Sequence, residues 1–296
     1  MFRKIAAFEL RYQLKAPVFW VSLAAFFLLT FGATTIPQIQ IGSKGNTFIN
    51  APFAIVQVTA IMSIFAMFIV TAFVANVVVR DDETGFGPII RATGVTKFDY
   101  LFGRFLGAWL ATMLILAAVP LGILAGSAMP WLDTFKVGPF RPADYLYAYL
   151  CVGAPTVLLF AAIFFALATA TRSMMATYLG VVAFLILYVA MRQLFKQPQY
   201  DHIVALLEPF GIAAIGEVTK YWTGAERNTM LPPLFGIVAE NRLVWVGISL
   251  LFLALAYRLF GFQSRGAKHE RAARTSGSPL VGPAGPLPVP RFDGRS

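Results

Sequence analysis

Three consecutive carboxylates, Asp81, Asp82 and Glu83, sit in the stretch RDDETGFGPIIRATGVTKFDY, residues 80–100, with Arg91 and Lys97 further along. They form the only acidic cluster in the chain, between two runs without charge, 45–79 and 105–132. Such acids could act in catalysis, cap a helix start or meet a partner. Catalysis would need companions, and the sequence supplies few. There are two histidines, His202 and His269, and both fall outside the long apolar runs. His269-Glu270 opens an H-E-x-x-H pattern, but position 273 is alanine, so the second zinc-binding imidazole is missing. The single cysteine, Cys151, leaves no intrachain disulfide and no cysteine-based metal cluster. No G-x-x-x-x-G-K-[ST] occurs, so the chain has no P-loop for ATP. The expectation is a protein that is not itself an enzyme and binds no cofactor or metal.

The elements that position this segment follow from composition. The 296 residues are 58% hydrophobic and 13% charged, where soluble domains carry about 25% charged residues. That balance points to an all-α polytopic membrane protein. Six spans are expected, at about 18–36, 54–79, 101–127, 145–170, 174–195 and 243–262. The sixth is the weakest, because only 243–257 lies between Arg242 and Arg258. The runs do not alternate as barrel strands would. Their central parts carry no ionisable residue, so coupling to protons or sodium is poorly supported. Net charge is +10, with Lys and Arg flanking the apolar runs rather than gathered on a soluble module. A lipid bilayer, not nucleic acid, is the expected partner.

Basic residues cluster before span one, between spans two and three, and after six, and Arg172 lies between four and five. The positive-inside rule therefore places both termini and segment 80–100 in the cytoplasm. Residues 1–17 are expected to form an interfacial helix before the six-span domain, 18–262. Lys4, Arg11 and Lys15 fall on one stripe of it, Phe2, Ile5, Phe8 and Tyr12 on another. Segment 196–242 is apolar but broken by Glu208, Pro209, Gly211 and Gly216, so short external or re-entrant helices are expected there. Residues 263–296, rich in Pro and Gly, read as a disordered cytoplasmic tail.

In segment 80–100, Gly85, Gly87 and Pro88 allow a break, Ile89 and Ile90 could enter a partner's groove, and Thr93 to Thr96 read as a turn into span three. By charge pattern alone the segment also suits a solvated loop with a capped helix start. The run RDDETGFGPIIRATGVTKFDYLFGRF resembles the first cytoplasmic loop of type-two ABC transporter permeases. Glu83 and Gly85 match its acidic start, Ile89, Ile90 and Arg91 its middle, and Lys97, Tyr100, Gly103 and Arg104 its end. FALATATRSMMATYLG, 165–180, resembles the inner turn between that family's fourth and fifth spans. FELRYQLKAPVFW, GSKGNTFINAPFAI, AFVANVVVRDDETGF, GSAMPWLD and KYWTGAERNTMLPPL are similar to the N-terminal membrane half of bacterial permeases fused to a zinc aminopeptidase-like domain. These 296 residues match only that first membrane half, so peptidase activity is not expected of them.

The resemblance implies a permease, most simply an exporter, in a bacterial inner membrane. It implies a second six-span half, as a homodimer or paired permease, and a separate ATPase subunit that carries ATP and Mg. The coupling residues would be Asp82, Glu83, Gly85, Ile89, Ile90 and Arg91. The competing readings are a membrane anchor or signalling assembly protein of the same fold, and an intramembrane enzyme. The 28 phenylalanines suit an amphipathic substrate and equally suit plain packing, so the substrate stays open.

Overall fold

Apolar backbone in lipid must satisfy its own hydrogen bonds, and the long runs do so as helices. The computed structural model describes residues 1–43, 45–83 and 94–261, with 81–83 described by backbone alone. The helices are α1 (Phe2–Lys15), α2 (Pro17–Thr35), α3 (Pro52–Glu83), α4 (Lys97–Leu116), α5 (Ala118–Ser127), α6 (Pro142–Tyr147), α7 (Ala154–Thr171), α8 (Met174–Leu194), α9 (Asp201–Leu207), α10 (Ile212–Thr219), α11 (Gly224–Thr229) and α12 (Ile237–Leu259). No strand occurs among the described residues. Six segments are long and apolar enough to cross a membrane: α2, α3, α4–α5, α6–α7, α8 and α12. The tail expected at 263–296 lies outside the described residues.

Two spans expected as unbroken runs are interrupted, each beside a proline. Pro120 cannot donate to the carbonyl of Leu116, and the third span breaks at Ala117 into α4 and α5. Pro155 likewise leaves the carbonyl of Cys151 without its usual donor. The fourth span absorbs this as a π-helical stretch, Ala148–Gly153, between α6 and α7. The sixth span also differs from expectation. Its helix begins at Ile237, so Asn241 and Arg242 lie inside it instead of bounding it. They tolerate that position because neighbouring carbonyls and a hydroxyl receive them, as described below.

The core is built on α3, which packs against α4, α7 and α8. In the most apolar window of α3, 67% of residues are buried, against 11% in α8 and 17% in α12. The last two therefore line the periphery. Several buried hydroxyls are satisfied within their own helix. Thr59, Ser63, Thr71, Thr156 and Thr169 each donate to the carbonyl four residues back at 2.7–2.9 Å. The turn between α7 and α8 is two residues long: Arg172 adopts a left-handed φ of 51°, and Ser173 caps α8 by accepting from Ala176 N at 3.3 Å.

Helix α2 reaches α5 through small residues spaced by four, Gly122 and Gly126. They face Thr30 and Thr34, and a Cβ added to Gly126 would stand 2.9 Å from Thr34 Cβ. Gly126→Leu is thus expected to force α2 away at a cost of about 1–3 kcal/mol. This would show as a lower midpoint of thermal unfolding in mild detergent, and an unchanged midpoint would contradict this packing.

Candidate functional site

At one end of the bundle a single carboxylate joins three helices. Glu9 on α1 has no exposed surface. Its Oε2 lies 2.8 Å from Arg80 Nη2, in the last turn of α3, and 3.3 Å from Arg104 Nη1 on α4. Its other oxygen, Oε1, accepts from Gln13 Nε2 at 2.7 Å. The rings of Tyr12 and Tyr100 lie 4.0 and 5.3 Å from the guanidinium carbons of Arg80 and Arg104. An isolated buried carboxylate would be costly, and two guanidinium groups with an amide remove that cost.

Glycine makes the approach possible. Gly103 and Gly107, again four apart, face α1. A Cβ at Gly107 would stand 2.6 Å from the carbonyl oxygen of Ala6 and 2.7 Å from Glu9 Cβ. Arg104 lies between these glycines in sequence, so the close approach and the charge that rewards it share one helical turn.

The face of α1 turned inward is therefore Ala6, Glu9 and Gln13. The apolar stripe expected to meet the membrane interface is a different face. Phe2 and Ile5 are half-buried against α4, but Phe8 and Tyr12 stay exposed. Lys4, Arg11 and Lys15 are exposed and make no part of the cluster. Ala16 is extended, and Pro17, with its fixed φ, opens α2 at the expected corner. Trp20 Nε1 donates to the carbonyl of Leu14 across that corner at 3.0 Å.

Residues 80–83 and 94–100 meet the bundle beside this cluster. The backbone of Asp81, Asp82 and Glu83 forms the last turn of α3. The helix start expected beside them is thus a helix end. Gly85, Ile89, Ile90 and Arg91 lie outside the described residues. Thr96 caps α4 by accepting from Asp99 N at 3.1 Å. Lys97 Nζ lies 4.6 Å from the centre of the Tyr257 ring, and Tyr100 contacts Phe260 at 5.7 Å, so the start of α4 also meets the end of α12.

Sequence reasoning passed over Glu9 and Gln13. A signal was present: Ala6, Glu9 and Gln13 recur at helical spacing, opposite a Gly-x-x-x-Gly that encloses an arginine.

A second polar lock closes the other end. The α9–α10 turn, Glu208-Pro209-Phe210-Gly211, bends back into the bundle, with Gly211 at φ 78°. Phe210 is fully buried, 5.1 Å from the rings of Phe160 on α7 and Tyr188 on α8. Glu208 accepts from the backbone N–H groups of Phe210 and Ala213, both at 3.2 Å. Asn241 Nδ2 donates to the carbonyls of Ala205, Leu206 and Glu208 at 2.8–2.9 Å. Arg242 reaches Thr156 Oγ1 at 3.1 Å and the Pro209 carbonyl at 3.4 Å. The broken apolar stretch is thus a set of short helices pinned by two side chains of α12. Helix α11, opened by a Thr223–Glu226 capping box, is tied to the loop before α3, where Asn228 accepts from Phe48 N at 2.8 Å.

The chain matches no family model and no curated protein.

Two substitutions separate the locks. Gly107→Leu is expected to expel α1, with faster amide exchange over 5–13 and faster tryptic cleavage at Arg11; unchanged protection would contradict the docking. Arg242→Leu is expected to cost roughly 1.5–3 kcal/mol and to speed exchange over 201–219 while leaving α1 protected. Loss of protection at both ends would contradict two separate locks.

Proposed function

We propose that this chain is the membrane-spanning permease subunit of an ABC transporter, an exporter, driven by a separate ATPase that binds ATP and Mg. The observation that carries the reading is the buried Glu9 cluster. It ties α1 to α3 and α4, the two helices that flank segment 84–93. A partner pulling on that segment would move three helices as one body, which is what transmission into a membrane domain requires. The resemblance of residues 80–105 to the family's cytoplasmic loop supports the same assignment.

The remaining parts follow from this reading. The α1 end also carries Arg3, Lys4, Arg11, Lys15, Lys97 and Arg258, so by the positive-inside rule it faces the cytoplasm, and both termini with it. The membrane is the bacterial inner membrane. The peripheral α8, with Leu179, Val182 and Ile186 exposed, is available to a second six-span half. Asp82, Glu83, Gly85, Ile89, Ile90 and Arg91 supply the contact with the ATPase. Lys97 and Tyr100 hold the start of α4 against α12, and Arg104 passes the motion to α1.

Affinity purification of the full chain in mild detergent is expected to retain an ATPase with a P-loop. Asp82→Lys with Glu83→Lys is expected to leave membrane insertion intact and to abolish the co-purifying ATPase activity. Wild-type protein that brings down no ATPase, but holds a protein from the other side of the membrane, would instead mark an anchor. Unchanged ATPase activity with the double variant would exclude these carboxylates from coupling.

A further inference from the structure

The end of the bundle opposite α1 carries a groove that borders the second lock through Tyr188, Glu208 and Pro209. It is about 220 Å³ in volume and lies among α8, α9 and the start of α12, with Leu187, Tyr188, Met191, Leu207 and Trp245 on its walls. Its walls are almost wholly apolar. It is smaller than the roughly 300–1,000 Å³ of sites that enclose a whole small molecule. A groove of this size accepts one chain and leaves the rest of the ligand outside.

Arg192 and Val204 border both this groove and a second, polar cleft of about 210 Å³ between α9 and α10. Asp201, Glu217 and Lys220 line the rest of that cleft's charged wall. Lys220 Nζ and Asp201 Oδ2 are paired at 3.3 Å. That leaves one guanidinium, Arg192, and one carboxylate, Glu217, with no hydrogen bond or ion pair of their own among the described residues.

Depth matters as well as charge. Helix α8 has 21 residues, about 32 Å at 1.5 Å per residue, against a hydrocarbon core of about 30 Å. Arg192 is third from its end, which puts the polar cleft at headgroup level and the groove beside the acyl chains.

We propose that groove and cleft together bind one phospholipid with a zwitterionic headgroup. An acyl chain fills the apolar groove, the phosphate meets Arg192, and the primary ammonium meets Glu217. A purely anionic headgroup would leave Glu217 facing like charge, and a purely cationic one would do the same to Arg192. The site rests on the membrane-spanning reading of α8 and is independent of any ATPase, so its test and that of the transporter reading fail separately.

The test is native mass spectrometry of the full chain in mild detergent, with equal amounts of phosphatidylethanolamine and phosphatidylglycerol of the same acyl composition. Retention of phosphatidylethanolamine over phosphatidylglycerol by roughly tenfold is expected, the scale of one charge-assisted contact. Glu217→Gln should abolish the preference while keeping a lipid bound, and Arg192→Gln should lose both lipids. Excess free phosphoethanolamine should displace neither. Equal retention of the two lipids by wild type, an unchanged preference in both variants, or displacement by the free headgroup would overturn the site.

Discussion

A carboxylate with no exposed surface must be neutralised where it lies, and in this chain that requirement organises one end of the bundle. Glu9 sits on the only helix before the first span. Its two arginines come from α3 and α4, seventy-one and ninety-five residues later. No local rearrangement of α1 could satisfy Glu9 alone. The close approach demands glycine at 107 and leaves little room for a side chain at 103, and the guanidinium of Arg104 must arrive between them. Removing any one member leaves charge or volume that the others cannot absorb. Helix α1 is therefore held as part of the bundle, beyond the surface attraction that its exposed basic residues would provide.

The opposite end uses the same physics with different groups. There the problem is a run of short helices, each too brief to be stable alone. Asn241 and Arg242 solve it by collecting the carbonyls that α9 and the following turn leave open, while Phe210 anchors the turn in apolar core. Between the two ends, α3 supplies a rigid, buried centre, and the glycine pairs of α4–α5 let α1 and α2 dock against opposite ends of one span. The peripheral α8 and α12 expose most of their apolar surface, and α8 contributes one wall of the apolar groove.

The spans were legible because lipid imposes a length and a composition that soluble sequences rarely meet. The corner at Pro17 and the short helices of 196–242 were legible for local reasons: proline fixes φ, and Glu208, Pro209 and Gly211 break a run. The kinks were legible in principle from Pro120 and Pro155, which each remove one donor. The face of α1 was harder. Phe8 and Tyr12 outweigh Ala6 in any reading of hydrophobicity, yet the small residue lies inward because the backbone must come close. The role of Glu9 depends on arginines far away in sequence, and nothing local marks a pairing at that distance. Arg242 misled for a related reason. A charge ordinarily bounds a span, unless tertiary partners receive it.

Glu9 holds α1 to the bundle through its arginines, and a double-mutant cycle tests this most directly. Glu9→Gln, Arg104→Met and the pair would be compared by unfolding in mixed detergent–SDS micelles. The ion cluster predicts that the two changes are coupled, by about 0.5–3 kcal/mol, the range for residues in direct contact. Effects that add to within about 0.5 kcal/mol, with α1 as protected in Glu9→Gln as in wild type, would contradict it.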